Sequence, residues 1–174
     1  GEGPAPAGVL LVGEAPGREE TEAGRPFVGR AGQVLNALLA EAGIPRAALF
    51  VTNAVKYRPY RLSPKGTKSN RPPTRKELAA GRELLLYELE AAAPRIVVTL
   101  GNSPLWALTG QAEVGALHGR PLPAWGRTVF PLYHPASVLY RPALKDALQT
   151  DARALGELIK SQRTAGGAKA PAAE

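Results

Sequence analysis

The chain has 174 residues, enough for one domain with its own core, and it has no cysteine, which excludes thiol catalysis, thiolate-bound metals and disulfides. Its 22 Lys and Arg against 15 Asp and Glu give a net charge of +7, which suits a polyanionic partner, with solubility alone as the plainer explanation. Two histidines, His118 and His134, are too few for a multi-histidine metal site, and no apolar run nears the roughly 20 residues of a membrane helix. The N-terminus lacks the order of a signal peptide, so a soluble cytoplasmic protein without a metal is expected.

In chain order, "GEGPAPA" (1–7) is expected to be disordered, and "GVLLVG" (8–13) has the length and branching of a buried strand. A glycine- and proline-punctuated loop follows, carrying Glu14, Glu19, Glu20 and Glu22, and then "GQVLNALLAEAG" (32–43) repeats apolar residues at helical spacing. "LFVTN" (49–53) is a second strand. The segment 56–76, "KYRPYRLSPKGTKSNRPPTRK", is basic, rich in proline and free of acids; a solvated loop is the bland reading, and a nucleic-acid track the sharper one, given Tyr57 and Tyr60. Thr74 and Glu77 form a capping box for a helix running to Pro94.

"RIVVTLG" (95–101) is the third strand, and Asn102 or Ser103 is expected to cap the next helix, with Pro104 at its first position. "TVFPLYH" (128–134) is the fourth strand, and 142–161 reads as a final amphipathic helix. Strands alternating with helices predict an α/β parallel sheet covered on both faces. One domain over 1–163 and a disordered tail over 164–174 are expected.

Ligands of open parallel sheets bind beyond the C-terminal strand ends. Here those ends carry Gly13-Glu14-Ala15-Pro16-Gly17, Asn53, Gly101-Asn102-Ser103 and His134-Pro135-Ala136-Ser137. The first loop has neither dinucleotide-binding nor P-loop spacing, which removes the support for a dehydrogenase or kinase. An aromatic plane at Phe27, an amide at Asn53 and an imidazole at His134 form a kit for one planar heterocycle. Singly, Phe27 reads more readily as core, Asn53 equally as a turn residue and His134 equally as a structural histidine; their joint placement carries the reading.

"GEAPGREE", "GRPFVGRAG", "VTNAVKYRP", "NRPPTRKE", "VVTLG" and "YHPASVLYR" occur in one order, and together they resemble the uracil-DNA glycosylase superfamily, most closely its family 4 enzymes of bacteria and archaea. The resemblance implies a three-layer α/β/α sandwich with a central four-stranded parallel sheet. It also implies hydrolysis of the N-glycosidic bond of deoxyuridine in DNA after base flipping, in a bacterial or archaeal cytoplasm at the nucleoid. By resemblance Glu14, Ala15 and Gly17 line the pocket, Phe27 stacks on uracil, Asn53 reads its N3/O4 edge and His134 stabilises charge at O2. Glu20 matches a position that crowds a C5 methyl. The superfamily's most active branch positions water with an aspartate where this chain has Ala15, which leaves backbone or Glu14 for that task. Leu139, Tyr140 and Arg141 match the segment that penetrates the duplex, Ser137 is a candidate phosphate contact, and Arg58, Lys65, Lys68 and Arg71 are the candidate DNA-binding cations.

Family 4 enzymes carry a 4Fe-4S cluster on cysteines, two of which fall at Tyr57 and Gly81 here, so no cofactor is expected, and Tyr57 is expected to fill the vacated volume. A related branch traps DNA through a histidine in an insertion near 60–69; no histidine lies between 54 and 117, so turnover is expected rather than covalent capture. The expected partner is single- or double-stranded DNA containing uracil, bound by a monomer and without a membrane. The alternatives are a glycosylase for another deaminated base such as hypoxanthine or xanthine, and a non-catalytic DNA-binding relative. His118 is expected to be structural or on the surface.

Overall fold

The structure, a computed structural model, describes residues 1–167. Strands β1 (Val9–Gly13), β2 (Leu49–Asn53), β5 (Ile96–Leu100) and β7 (Arg127–Leu132) pair in parallel, in the order β2-β1-β5-β7. These are the expected strands. Alternation along each one sorts its side chains to two faces. Val9 and Leu11 join Leu35, Leu38 and Leu39 of α2 (Arg30–Glu41) and Leu148 and Leu155 of α7 (Lys145–Gly167) on one face. Leu10 and Val12 join Leu78, Leu85 and Leu89 of α3 (Arg75–Ala92) and Leu105 and Leu108 of α4 (Asn102–Thr109) on the other. The product is the expected three-layer α/β/α sandwich.

The chain adds strands that the apolar pattern did not show. A fifth, β6 (Leu122–Ala124), pairs antiparallel with β7 at the sheet edge; it is only three residues long and holds Pro123, which an edge tolerates. The basic segment folds into a separate hairpin, β3 (Tyr60–Leu62) with β4 (Lys68–Asn70), whose residues are all exposed. It packs no apolar face, so no hydrophobic periodicity marked it.

Thr74 caps α3 as expected, its side chain accepting from the Glu77 N–H at 3.2 Å. At α4 the cap is Gly101 instead, and Pro104 stands third in the helix. Gly101 has φ of 90°, and a side chain there would lie 3.3 Å from the His134 Cβ, so glycine turns the chain into the helix while letting His134 pass close by. Asn102 accepts from the Val114 N–H at 2.9 Å and ties α4 to α5 (Val114–Leu117). Two termini also differ from expectation. Glu2 exchanges backbone hydrogen bonds with Val51 and Ala7 donates to the Ala92 carbonyl, so residues 1–7 are ordered against β2 and α3. Helix α7 runs through Gly167, past the expected boundary at 163; the remainder of the expected tail, 168–174, lies outside the described residues.

Helix α3 meets the end of β2 without side chains between them. A Cβ on Gly81 would overlap the Ala54 carbonyl oxygen, which no rotamer can relieve. Gly81→Ala is expected to destabilise the fold by about 1–3 kcal/mol despite alanine's better helix propensity, lowering the urea midpoint with an unchanged m-value.

Candidate functional site

The sheet order reverses direction between β1 and β5, and a cleft of ≈ 640 Å³ opens beyond the ends of β1, β2 and β7. Its base is the end of β1. A Cβ on Gly13 would fall on the Asn53 Oδ1 and 2.5 Å from the Phe27 Cζ, so glycine at this position is what brings the amide and the aromatic ring together. Asn53 pairs with Gly13 in register and is 8% exposed.

Phe27 adopts φ of 53°, a left-handed conformation that costs a non-glycine residue on the order of 1–3 kcal/mol. Two side chains hold it there. Arg46 donates to the Pro26 carbonyl at 2.6 Å, to the Phe27 carbonyl at 3.4 Å and to the Asn36 side chain at 3.0 Å. Glu20 accepts from the Val28 and Gly29 amides at 3.1 and 2.8 Å with one oxygen, and from the Gly17 amide at 3.1 Å with the other. The Glu20 carboxylate lies on the cleft wall, but both oxygens are occupied in stapling the Gly17 turn to the Phe27 loop. Neither restraint was read from the sequence; each joins segments that are remote along the chain or bonds backbone, which leaves no periodic trace.

His134 follows β7 and its ring centroid lies 6.1 Å from that of Phe27, tilted by 33°. Burial lowers its pKa to about 4, against a weaker opposing pull from Glu20. The Ala136 N–H donates to His134 Nδ1 at 3.1 Å. A neutral ring that accepts at Nδ1 carries its proton on Nε2, so His134 is a neutral hydrogen-bond donor at neutral pH. Glu14, after β1, accepts from the Ser103 hydroxyl at 2.6 Å. Burial raises the Glu14 pKa above the usual carboxylate value, and the Ser103 bond opposes this. Ser103 was expected as a helix cap and among the strand-end groups, without a partner.

Ala15 and Gly17 line the same cleft, Gly17 as the N-cap of α1 (Arg18–Ala23). Leu139 and Tyr140, on the short α6 (Ser137–Tyr140), form one rim, 38% and 84% exposed. Ser137 starts this helix with its hydroxyl buried and unpaired among the described residues, and Arg141 ends it, exposed; neither lines the cleft. The β3–β4 hairpin forms the opposite rim. Arg58 donates to Asn70 at 2.6 Å and Arg71 makes a bidentate pair with Glu77 at 2.7 and 2.8 Å, so both root the hairpin, and the Arg71 charge is matched by Glu77. Lys68 lies 4.5 Å over the Tyr60 ring, and Lys65 is exposed near the tip, outside the cleft. His118 sits elsewhere, its Nδ1 2.7 Å from Asp151 and its ring on Tyr133, in keeping with a structural role.

A sequence model of the uracil DNA glycosylase superfamily matches residues 1–155. The chain belongs to this superfamily. A type-4 uracil-DNA glycosylase of Archaeoglobus fulgidus is 36% identical over 168 residues, covering 91% of this chain and 80% of its own. A type-4 uracil-DNA glycosylase of Thermotoga maritima is 39% identical over 143 residues, covering 80% and 70%. The crystal structure of wild-type Pedobacter heparinus SMUG2 shares the fold at a TM-score of 0.51 and 13% identity, over 92% of this chain and 76% of that one.

The iron–sulfur cluster that the family 4 resemblance implies does not fit the residues present. The chain has no cysteine, and at one of the two ligand positions Gly81 has no space for any side chain. At the other, Tyr57 is 53% exposed and does not fill an interior volume as expected.

The tautomer at His134 is directly measurable in this superfamily member. Heteronuclear NMR at pH 7 is expected to show the Nε2–H form, with the ring titrating only near pH 4. The sign for stability follows: a folded pKa below the ordinary 6.5 gives a contribution that is complete above 6.5 and is lost as pH falls toward about 4.

Proposed function

We propose that the protein is a monofunctional uracil-DNA glycosylase, which hydrolyses the bond between uracil and deoxyribose in DNA and leaves an abasic site. The observation that carries this is the His134 ring, which accepts from the Ala136 N–H at Nδ1 and has no partner at Nε2 among the described residues, in one cleft with Asn53 and Phe27. A base turned out of the helix stacks on Phe27, and the Asn53 amide, which both donates and accepts, pairs with its N3–H and O4 edge. As the C1′–N1 bond breaks, the bonding electrons pass to the base and negative charge gathers at O2. The His134 Nε2–H acts there. A neutral donor serves this purpose without first binding the anion as an ion pair.

The deoxyribose becomes positively charged at C1′, where water adds, one proton leaving to the surroundings and the base taking up another. Glu14, oriented by Ser103, is the group that holds this water in its carboxylate form. Glu20 acts on selectivity through the wall it braces, since its oxygens are already paired. Leu139 and Tyr140 occupy the space in the stack that the base has left. Phosphates are met by Arg141, Lys65 and Lys68, while Arg58 and Arg71 shape the rim that presents them, and the buried Ser137 hydroxyl does not reach them.

With a uracil-containing oligonucleotide, purified protein is expected to produce alkali-labile sites and free uracil, with no protein–DNA adduct surviving a denaturing gel. No release from single- or double-stranded substrate by folded protein would overturn the reading, and release of hypoxanthine or xanthine in preference would redirect it. His134→Ala is expected to lower the single-turnover rate ~10²- to 10³-fold. The rate should fall on the acid side as Glu14 takes up its proton, at a pH above its ordinary value of 4.5 because burial favours the neutral acid. Glu14→Gln is expected to lower the plateau and abolish that acid limb.

A further inference from the structure

Strand β2 lies at the sheet edge, so half of its backbone groups face away from β1. Val51 is one such residue, and it exchanges both of its bonds with Glu2. Asn53, two residues on, faces the same way and has no strand to pair with. The Lys56 ammonium takes that place: Nζ donates to the Asn53 carbonyl at 2.6 Å and to the Thr52 hydroxyl at 2.8 Å, and it is ion-paired to Glu88 of α3. Glu88 also accepts from the Thr52 hydroxyl at 2.8 Å. On the inner side, Ala54 and Val55 donate to the Gly13 and Glu14 carbonyls at 2.8 and 3.0 Å. The strand end at Asn53 is therefore gripped from both sides, and on the outer side, among the described residues, through Lys56 alone.

We propose that Lys56 is a positioning residue for base recognition: anchored to α3 by Glu88, it fixes the Asn53 carbonyl and thereby the reach of the Asn53 amide into the cleft. This rests on the reading of Asn53 as the reader of the uracil edge. Misplacing a recognition group by about 1 Å can cost on the order of 10²-fold in rate.

Lys56→Met is expected to reduce single-turnover uracil excision at least about tenfold, while binding to an oligonucleotide carrying an abasic site, which has no base to read, changes by less than about twofold. Glu88→Gln keeps the ammonium but removes its anchor, and is expected to produce a smaller loss of the same kind; it tests the proposal should Lys56→Met not fold. In the free protein the Asn53 side-chain NH2 signals are expected to shift or broaden in either variant, with those of Asn36 unmoved. Unchanged excision, unchanged Asn53 signals, or an equal loss of abasic-site binding would each overturn the proposal. Failure of the wild-type protein to release uracil would instead remove the glycosylase reading, and the Asn53 signals would still decide the role of Lys56.

Discussion

Gly13 is the point about which the site is built. It ends β1 where Asn53 arrives from the neighbouring strand and Phe27 from a loop, and neither could approach if the position carried a side chain. The approach has a cost, because Phe27 must hold a left-handed backbone worth on the order of 1–3 kcal/mol of strain. A hydrogen bond to a charged group contributes roughly 1.5–3 kcal/mol, so one or two of those made by Glu20 and Arg46 offset it. The ring is thus held in place before any ligand arrives, which is the condition under which fixed groups are most effective.

The first loop's acids, set in a chain of net charge +7, divide between structure and chemistry. Glu20 spends its charge on backbone amides. Glu22 lies 4.0 Å from Arg18 one helical turn away, both well exposed, where such pairs contribute little. Glu14 is held by Ser103 and pushed by burial toward its neutral form. Burial also keeps His134 uncharged. Phe27, Asn53 and the His134 ring thus form an uncharged group within a cleft whose wall also carries Arg18, Arg30, Arg58, Lys68 and Arg71.

What was legible in the sequence was whatever repeats or caps locally. The parallel strands showed as apolar runs, α3 as a period with Thr74 and Glu77 at its start, and the strand-end positions of Asn53 and His134 followed from the order of the elements. What escaped was either too short to have a period, as with β6 around Pro123, or depended on partners distant along the chain. Ser103 meets Glu14 across 89 residues, and Arg46 meets Phe27 across 19. The cations of 56–76 were legible as charge but not as function, since charge does not reveal that Arg71 is already paired with Glu77. The expectation for the N-terminal segment failed for a similar reason: a glycine- and proline-rich run is ordered when a sheet edge offers it hydrogen bonds.

The junction of α3 with β2 shows how the chain holds its cleft-facing strand end without thiolates. Gly81 lets the helix press directly on the Ala54 carbonyl, a contact that fixes separation but not direction. Direction comes from the ion pair one face over, where Lys56 and Glu88 are 25% and 13% exposed. Removing such charges from water is costly, and apolar residues would pack as well for stability alone. An apolar side chain could not, however, satisfy the outward Asn53 carbonyl at a sheet edge. The polar link is the arrangement that meets the helix, neutralises its own charge and bonds that carbonyl at once, so the reach of the Asn53 amide is set by α3 as much as by the strand that carries it.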